Sequence, residues 1–344
     1  MHRLQRDLAA EGQGRRPAGA PSSGPSVRGM AALALLLAAV LAACAPAPRA
    51  PLRVGVLVFP SYELLFLAAD SGHLPRESVR LVSYRSPAEL SRAYEMGVVD
   101  AMATTLEYGL SLQRGADGPK VILVLDVSHG ADAVVARPEL AALADLRGRR
   151  VGTESGELGS YVLQRALDHA GLSRADVEIV PVDHADQQEA YESGRVDAVV
   201  TYDPVRARLV AAGGRELFTS REIPGEIVDV LIVRRELLAE RRDDLRSLVR
   251  AWFAARARFL AAPRESAARM APREGVGVDE FLALIEGVRI PDEAGTEALL
   301  SGADPALRDS VRRRAEHLIA AGIVDQLAPL DDLLDPSLVA EARP

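Results

Sequence analysis

The sequence predicts an α/β fold made of two similar lobes that are joined by two crossovers of the chain. The segment Met96–Tyr108, MGVVDAMATTLEY, is echoed by Ser193–Pro204, SGRVDAVVTYDP, with glycine, aspartate, alanine and threonine recurring in register. Upstream, two shorter matches keep the same order: VRLV at 79–82 with VEIV at 177–180, and RVG at 53–55 with RVG at 150–152. Two copies are too few for a solenoid, so the repeat indicates two facing lobes. Chance similarity between two βαβ units is the alternative.

Length and composition limit the classes of function. The 344 residues are enough for two lobes with a core each. A net charge of −8 provides no basic field that would attract nucleic acid. The six histidines are scattered without metal-ligand spacing, so we expect neither a metal nor another cofactor.

The N-terminal region has the layout of an export signal. Arg28 precedes an apolar run, Met30–Ala43, that is shorter than the roughly 20 residues of a membrane-spanning helix. The run leads into LAAC at Leu41–Cys44, which resembles the bacterial lipobox. This resemblance implies that Cys44, the single cysteine, carries two acyl chains, which suffice for stable membrane anchoring. A buried cysteine in a short helix is the alternative.

The first lobe is predicted from apolar strands that alternate with helices. Leu52–Val58 is a nearly continuous apolar run, typical of a strand covered on both faces. Tyr62–Asp70 has helical apolar spacing and is followed by a glycine. Ser86-Pro87 starts a second helix with proline at its first position. The remaining strands of this lobe are predicted at Val79–Tyr84, Val98–Ala103 and Lys120–Val127.

The second lobe follows a polar break at Ser128–Asp132, where we expect the chain to cross over. Its strands are predicted at Arg150–Thr153, Val177–Val182 and Val196–Thr201. Ile227–Arg234 is predicted to return to the first lobe. The predicted limits are 1–43 for the signal peptide, 44–51 for the tether, 52–131 with 229–344 for lobe 1, and 132–228 for lobe 2.

Two further features have structural interpretations. Glu236–Ala262 is predicted to be one long amphipathic helix, with Trp252 on its apolar stripe as a core residue. Asp100 and Asp197 recur at the start of equivalent strands, so we expect them to share a structural role.

Four motifs in a fixed order resemble a known family. They are the lipobox, DLRGRRVG at Asp145–Gly152, SGRVDAVVTYDP at Ser193–Pro204, and IPGEIVDVLIVR at Ile223–Arg234. Over about residues 52–340, including LDDLLDPS at Leu330–Ser337, the chain is similar to the substrate-binding lipoproteins of ABC importers. The branch in question handles nitrate, sulfonates, taurine and thiamine-pyrimidine precursors.

This resemblance implies the type II periplasmic-binding-protein fold, which closes by hinge motion on a small solute. It also implies an ABC permease and its ATPase as partners of a monomeric binding protein. The expected location is the periplasm or the outer face of the cytoplasmic membrane.

Candidate ligand-binding residues follow from the rule that ligands of open α/β sheets bind outside the carboxyl ends of the strands. Thr105 and Ser160 lie near predicted helix starts, whose free N–H groups receive anions or carbonyls. Tyr62 and Tyr202 offer flat apolar faces with polar tips, and Asp229 can pair with a ligand amine or hold the hinge. The complete set is Tyr62, Thr105, Ser128, Asp132, Glu154, Ser155, Ser160, Tyr202, Asp203 and Asp229. For each residue alone, a capping or structural role is the alternative.

The charges of the predicted cleft favour one class of solute. Glu154, Asp203 and Asp229 are acidic, and no arginine is predicted at an inward-pointing strand end. Acids beside tyrosines favour an aminopyrimidine or another neutral-to-cationic heteroaromatic, as in thiamine-pyrimidine precursors, with sulfonate, taurine or nitrate next. A sensor that presents its closed form to a membrane receptor would use the same closure and is an open alternative.

Catalysis is not expected, although some lyases share this fold. The single cysteine is assigned to the lipobox, and no Ser-His-Asp order is found. Ser128, His129 and Asp132 form the one cluster that resembles a nucleophile with a base, and it lies in a crossover.

Overall fold

The computed structural model describes residues 49–112, 118–154, 156–301, 305–320, 322 and 333–343. The predicted signal peptide, the lipobox and Cys44 lie outside these residues. None of the helices in these ranges has both the length and the apolar character needed to cross a membrane.

Two β-sheets form the centres of the two lobes, which confirms the predicted fold class. The order is β11-β4-β10-β3-β1-β2 in one sheet and β7-β6-β8-β5-β9 in the other. The strands are Leu52–Val56 (β1), Val79–Ser83 (β2), Ala101–Thr105 (β3), Lys120–Ser128 (β4), Asp132–Ala136 (β5), Arg150–Thr153 (β6), Glu178–Pro181 (β7), Ala198–Tyr202 (β8), Arg215–Thr219 (β9), Val228–Val233 (β10) and Val288–Arg289 (β11).

The strand pairing reproduces the internal repeat. β1 is parallel to β2 and β3, as β6 is parallel to β7 and β8. The registers are equivalent, since Val54 pairs with Ala101 and Val151 pairs with Ala198. An antiparallel strand flanks each parallel set, β10 beside β3 and β5 beside β8. The chain enters β5 from the first sheet and β10 from the second, so the two crossovers lie directly before these strands. The exact lobe limits stay a prediction.

Helices surround both sheets. They are Glu63–Asp70 (α1), Pro87–Glu95 (α2), Leu106–Ser111 (α3), Glu157–Ala170 (α4), Gln187–Glu192 (α5), Val205–Ala211 (α6), Leu237–Glu240 (α7), Arg242–Ala261 (α8), Pro263–Glu274 (α9), Val278–Ile285 (α10), Glu293–Leu300 (α11), Pro305–Ala320 (α12) and Ser337–Ala342 (α13). The proline start of α2 agrees with prediction, and the Ser86 hydroxyl accepts a hydrogen bond from the Glu89 N–H.

The predicted single helix at 236–262 is wrong, because the structure divides it into α7 and α8. Arg241 lies between them with φ −127° and ψ 27°, outside helical geometry. Its Nε donates to Asp244 Oδ2 at 2.6 Å, so this residue begins α8 instead of continuing α7. Trp252 of α8 is fully buried in the core of the first lobe, as predicted.

The repeated aspartates share one structural role. Asp100 accepts hydrogen bonds from the backbone N–H, Nε and Nη2 of Arg53 at 2.8, 2.9 and 2.6 Å. Asp197 accepts the equivalent three bonds from Arg150 at 3.0, 3.1 and 2.7 Å. In each lobe, the aspartate before the third strand of the repeat thus holds the first strand beside it.

Helix α12 contacts both lobes. Its Arg314 is fully buried and pairs through Nε with Glu107 Oε1 of α3 at 2.5 Å. On the other side, Arg313 Nη2 lies 3.0 Å from Glu226 Oε1, and His317 Nε2 lies 3.1 Å from Ser160 Oγ of α4. The helix therefore connects the segments that follow β3 and β6.

We expect Asp100→Ala to lower the free energy of unfolding by about 1–2 kcal/mol at pH 7, because the charge-assisted hydrogen bonds from Arg53 are lost. The loss is limited to this size because Arg53 is partly exposed and solvent screens its charge. Burial opposes ionisation, but the Arg53 bonds hold the pKa of Asp100 below its ordinary value. A lowered pKa stabilises the fold above the pKa of the unfolded chain, and this contribution is lost as the pH falls through the folded pKa. The difference between variant and wild type should therefore shrink below about pH 4 in urea unfolding.

The matched control is Asp186→Ala, which changes an exposed aspartate and should stay within about 0.5 kcal/mol of the wild type. Equal losses in the two variants would contradict the structural role of Asp100.

Arg314→Leu should cost about 3–5 kcal/mol in urea unfolding, because Glu107 is then buried without its counter-ion. The double variant Glu107→Leu/Arg314→Leu removes both charges and should recover most of that loss. A loss below about 1 kcal/mol in the single variant would show that solvent reaches this pair.

Candidate functional site

A cavity of about 270 Å³ lies between the two sheets, where the strands of both lobes end. The first lobe contributes the carboxyl ends of β1 and β3 and the start of β10, and the second contributes the carboxyl ends of β6 and β8 and the start of β5. Its lining residues are Leu57, Phe59, Tyr62, Pro87, Ala88, Ser91, Glu95, Thr104, Thr105, Tyr108, Asp132, Glu154, Gly156, Glu157, Leu158, Tyr202 and Asp229.

The internal repeat places two equivalent residue pairs in this lining. Thr105 at the end of β3 pairs with Asp229 on β10. Tyr202 at the end of β8 pairs with Asp132 on β5. Each lobe therefore brings one residue from a parallel strand and one aspartate from the strand that follows a crossover.

Aromatic side chains form the apolar wall. The ring of Phe59 makes edge contacts with Tyr62 at 5.3 Å and with Tyr202 at 6.0 Å between centroids. Tyr108 of α3 also lines the cavity. Burial, followed by the nearby Asp229 charge, raises the pKa of Tyr62 well above its ordinary value. Its phenol therefore stays protonated and can donate a hydrogen bond.

The acids of the second lobe are buried and incompletely bonded. Burial raises the pKa of Glu154 to about 8 and the pKa of Asp132 to about 7. Glu154 Oε2 and Asp132 Oδ2 have no hydrogen-bond partner among the described residues. Buried polar atoms are rarely left in this state, so both oxygens indicate a missing donor.

The acid of the first lobe is one of a pair. Asp229 lines the cavity, and Asp126 behind it is fully buried and accepts a hydrogen bond from Ser61. Burial and the charge of Asp126 raise the pKa of Asp229, and burial raises the pKa of Asp126 to about 7. Two adjacent buried carboxyls cannot both ionise readily, so the pair retains a proton near neutral pH.

Positive charge is missing from the lining. No lysine or arginine is among the described residues that surround the cavity. The nearby Arg314 is engaged with Glu107 and does not line it. The cavity therefore offers hydrogen-bond acceptors, carboxyl protons and aromatic faces.

The structure brings together part of the predicted ligand-binding set. Tyr62, Thr105, Asp132, Glu154, Tyr202 and Asp229 line the cavity. Ser155 lies outside the described residues. That the lining residues bind a ligand stays a prediction.

The other three predicted residues are not in the lining. Ser128 Oγ lies 2.8 Å from Ser220 Oγ. Both carboxylate oxygens of Asp203 accept hydrogen bonds from Arg206 at 3.0 Å. Ser160 contacts His317, as described above. Each of these side chains has a partner within the protein, which agrees with a structural role for the residue.

Several residues that line the cavity were not predicted, although for some of them the sequence contains a pattern that could have identified them. Phe59 follows β1 directly, so the strand-end rule could have selected it. Tyr108 lies on α3, three residues after Thr105, which directly precedes that helix. Glu157 is the first residue of α4, whereas Glu95 ends α2 and has no strand-end position.

The cluster that resembles a nucleophile and base does not form a relay. Ser128 Oγ is within hydrogen-bonding distance of Ser220, and His129 Nε2 lies 3.0 Å from Arg289 Nη2. Among the described residues, no hydrogen bond joins Ser128 to His129.

Curated relatives match part of this chain. A putative binding protein of Brucella abortus is 24% identical over 46% of this chain and 53% of its own length. A putative aliphatic sulfonates-binding protein of Escherichia coli is 24% identical over 47% and 50%. A putative thiamine biosynthesis protein of Haemophilus influenzae is 26% identical over 42% and 46%. The chain thus spans about half the length of the curated relatives it matches.

Solved structures with the same fold cover more of the chain. The ligand-binding component of an ABC-type import system from Staphylococcus aureus, with zinc bound, has a TM-score of 0.71 at 15% identity and covers 86% of this chain and 99% of its own. The alkanesulfonate-binding protein of Xanthomonas axonopodis, bound to MOPS, has a TM-score of 0.64 at 18% identity, with 86% and 98% covered. A desulfurization enzyme has a TM-score of 0.62 at 19% identity, with 86% and 99% covered. These likenesses show the two-lobed periplasmic-binding-protein fold.

A family model extends from the end of the predicted lipobox into α9. It is described as the NMT1-like family and matches residues 45–273. This match includes β1–β10 and the strand ends that build the cavity. The chain therefore belongs to the NMT1-like family.

Proposed function

We propose that this protein is an extracytoplasmic solute-binding lipoprotein of an ABC importer. It captures a neutral-to-cationic heteroaromatic solute, of the thiamine-pyrimidine-precursor type, between its lobes. The fold shared with an importer component and the match to a thiamine biosynthesis protein support this proposal.

The observation that carries the ligand class is the pair of unpartnered acid oxygens in an aromatic cavity. Asp132 Oδ2 and Glu154 Oε2 are buried and can accept hydrogen bonds from an exocyclic amine or a protonated ring nitrogen. The rings of Phe59, Tyr62 and Tyr202 can bury the flat face of such a solute. A cation over an aromatic face gains about 0.5–2 kcal/mol in addition.

An anionic solute fits the cavity less well. Burial raises the pKa of Asp132 to about 7 and that of Glu154 to about 8, and above these values each ionised carboxylate 4 Å from a ligand anion opposes binding by about 4 kcal/mol at an effective dielectric constant of 20. No arginine or lysine among the described lining residues offsets that repulsion. Sulfonate, taurine and nitrate are therefore ranked after the heteroaromatic class, although a relative is named for aliphatic sulfonates.

The proposal also includes the cellular setting. Export through residues 1–43 and acylation of Cys44 place the protein outside the cytoplasm, held at a membrane by two acyl chains. A permease with its ATPase then receives the solute from the closed monomer. The alternative is a sensor whose closed form contacts a membrane receptor, and genes for a neighbouring kinase or cyclase in place of a permease would favour it.

An enzymatic role is the less favoured alternative. A desulfurization enzyme has a similar fold, which keeps catalysis as an outcome to be tested. Ser128 and His129 have separate partners, so they supply no activated nucleophile. Formation of a product from a bound solute on incubation would overturn the binding-protein proposal.

The first test is a thermal-shift screen with 4-amino-5-hydroxymethyl-2-methylpyrimidine, taurine, methanesulfonate and nitrate. A probe at about 100 times its Kd adds roughly 2.7 kcal/mol to stability, which raises the Tm by about 5 °C or more. We expect the pyrimidine alone to reach that shift. Shifts with the sulfonates or nitrate alone would overturn the proposed ligand class.

At pH 9, above the pKa of about 8 to which burial raises Glu154, Glu154→Gln should weaken binding of the pyrimidine at least about tenfold in calorimetric titration, equal to about 1.4 kcal/mol, because an anionic acceptor is lost. Glu178→Gln is the matched control, since Glu178 is exposed on β7 of the same lobe, and it should bind as the wild type does. Unchanged affinity in Glu154→Gln would remove Glu154 from the site.

Binding of a permanently charged probe, 1-methyl-4-aminopyridinium, should tighten as the pH rises from 6 to 9. Burial raises the pKa of Asp132 to about 7 and that of Glu154 to about 8, so these groups become anionic within this window. The ligand-free protein should lose stability over the same rise, because the folded state holds protons that the unfolded chain has already released. Titration and urea unfolding at constant ionic strength measure the two trends, and affinity that is independent of pH would contradict the assignment.

A further inference from the structure

A second cavity of about 250 Å³ lies on the other side of Tyr202. Tyr202 and Leu57 line both cavities, so the tyrosine is part of a shared wall. The second cavity is also built from both lobes, with Arg85 after β2, Arg208 on α6 and Glu274 at the end of α9.

The shared wall is a stacked pair of rings. His184 lies parallel to Tyr202 with centroids 3.7 Å apart and an interplanar angle of 3°. Burial lowers the pKa of His184 to about 4, so the imidazole is neutral at physiological pH. Phe59 contacts Tyr202 through an edge. The wall between the cavities is therefore aromatic and uncharged.

Glu274 is the unexplained group of the second cavity. It is 2% exposed, and both carboxyl oxygens lack a hydrogen-bond partner among the described residues. It ends α9, where the helix dipole disfavours negative charge. Burial raises the pKa of Glu274 to about 8, so at neutral pH it is a carboxylic acid whose O–H has no acceptor.

The other charged residues of this lining are positive. Arg208 Nη2 donates to the Glu274 backbone carbonyl at 3.2 Å, which holds the guanidinium beside the carboxyl group. Arg85 is exposed at the mouth. Glu274 is the only acid among the described lining residues. This cavity is therefore positive at neutral pH, whereas the first is lined by acids.

We infer that the second cavity is a subsite for an oxyanion, a carboxylate or phosphate, bound by Arg85, Arg208 and the Glu274 carboxyl group. Guanidinium groups match the geometry of carboxylate and phosphate oxygens, and a carboxylic acid can donate to either. If the proposed function holds, the captured solute is bipartite, with a heteroaromatic amine in the first cavity and an oxyanion in the second. The oxyanion subsite itself does not depend on that function.

Other ionisable groups face Glu274 and must be separated from it in a test. Glu63 of α1 is buried and pairs with Arg273 at 2.8 Å, and burial raises the pKa of Glu63 to about 7. Asp203 before α6 is paired with Arg206, and burial raises the pKa of Asp203 to about 6. Their ionisation adds negative charge near the site, so a variant of Glu274 itself is needed.

The experiment titrates the intact protein with propanoate at constant ionic strength and pH 7, followed by NMR or calorimetry. Arg208→Gln should weaken binding at least about tenfold. Arg195→Gln removes an exposed guanidinium before the start of β8, at the end of this strand opposite to Tyr202, and should bind as the wild type does. Equal affinity in all three proteins, or no binding by the wild type, would overturn the subsite.

A second variant, Glu274→Gln, tests the subsite even if the loss of Arg208 disturbs the fold. The amide still donates a hydrogen bond, so binding at pH 7 should be retained. Between pH 7 and 9, propanoate keeps its charge, and wild-type affinity should fall at least fivefold more than that of Glu274→Gln, in which this group cannot ionise. Parallel pH profiles would overturn the role of Glu274.

Two additional probes separate this inference from the proposed function. Inorganic phosphate in place of propanoate distinguishes a phosphate site from a carboxylate site by which anion binds more tightly. The pyrimidine probe reports on the first cavity in the same proteins. Propanoate binding without pyrimidine binding would support the oxyanion subsite and overturn the proposed function. Pyrimidine binding without propanoate binding would support the proposed function and overturn the oxyanion subsite.

Discussion

Burial of carboxyl groups in the cleft is the constraint on which the rest of this structure depends. A buried carboxyl must find a counter-ion, share a proton or bind a ligand, because an isolated buried charge is too costly. Arg314 is the counter-ion of Glu107, and Asp126 shares a proton with Asp229. Asp132 and Glu154 keep unpartnered oxygens at the cavity. These two oxygens of the cavity are thus groups that a solute can satisfy.

The internal repeat explains why these groups meet. Equivalent registers in the two sheets place Thr105 beside Asp229 and Tyr202 beside Asp132. The aspartates lie on the strands that directly follow the crossovers, so any change in lobe orientation acts on the same residues that line the cavity. The cavity lining and the two crossovers are therefore adjacent in the chain topology. The asymmetry between the acidic cavity and the cavity with Arg85 and Arg208 arises from loops and helices that the repeat does not share.

Local sequence patterns predicted the fold more completely than the site. Apolar runs, glycines and the repeated aspartates specify strands and their order, because these features act within one βαβ unit. Thr105, Glu154 and Tyr202 were predicted to lie in the cleft because the carboxyl ends of parallel strands converge on one side of a sheet. Asp203 followed the same rule but is bound by Arg206 one helical turn later, a competition that the strand-end rule ignores. Glu95 and Glu274 lie at helix ends, and only tertiary packing brings them to the cleft.

A crystal structure of the protein with 4-amino-5-hydroxymethyl-2-methylpyrimidine would show directly which groups of the cleft hold the solute. We expect the ring between Phe59, Tyr62 and Tyr202, with its exocyclic amine about 3 Å from an oxygen of Asp132 or Glu154. A pyrimidine bound elsewhere, or an anion held against those two carboxyl groups in its place, would contradict the assignment of the cleft.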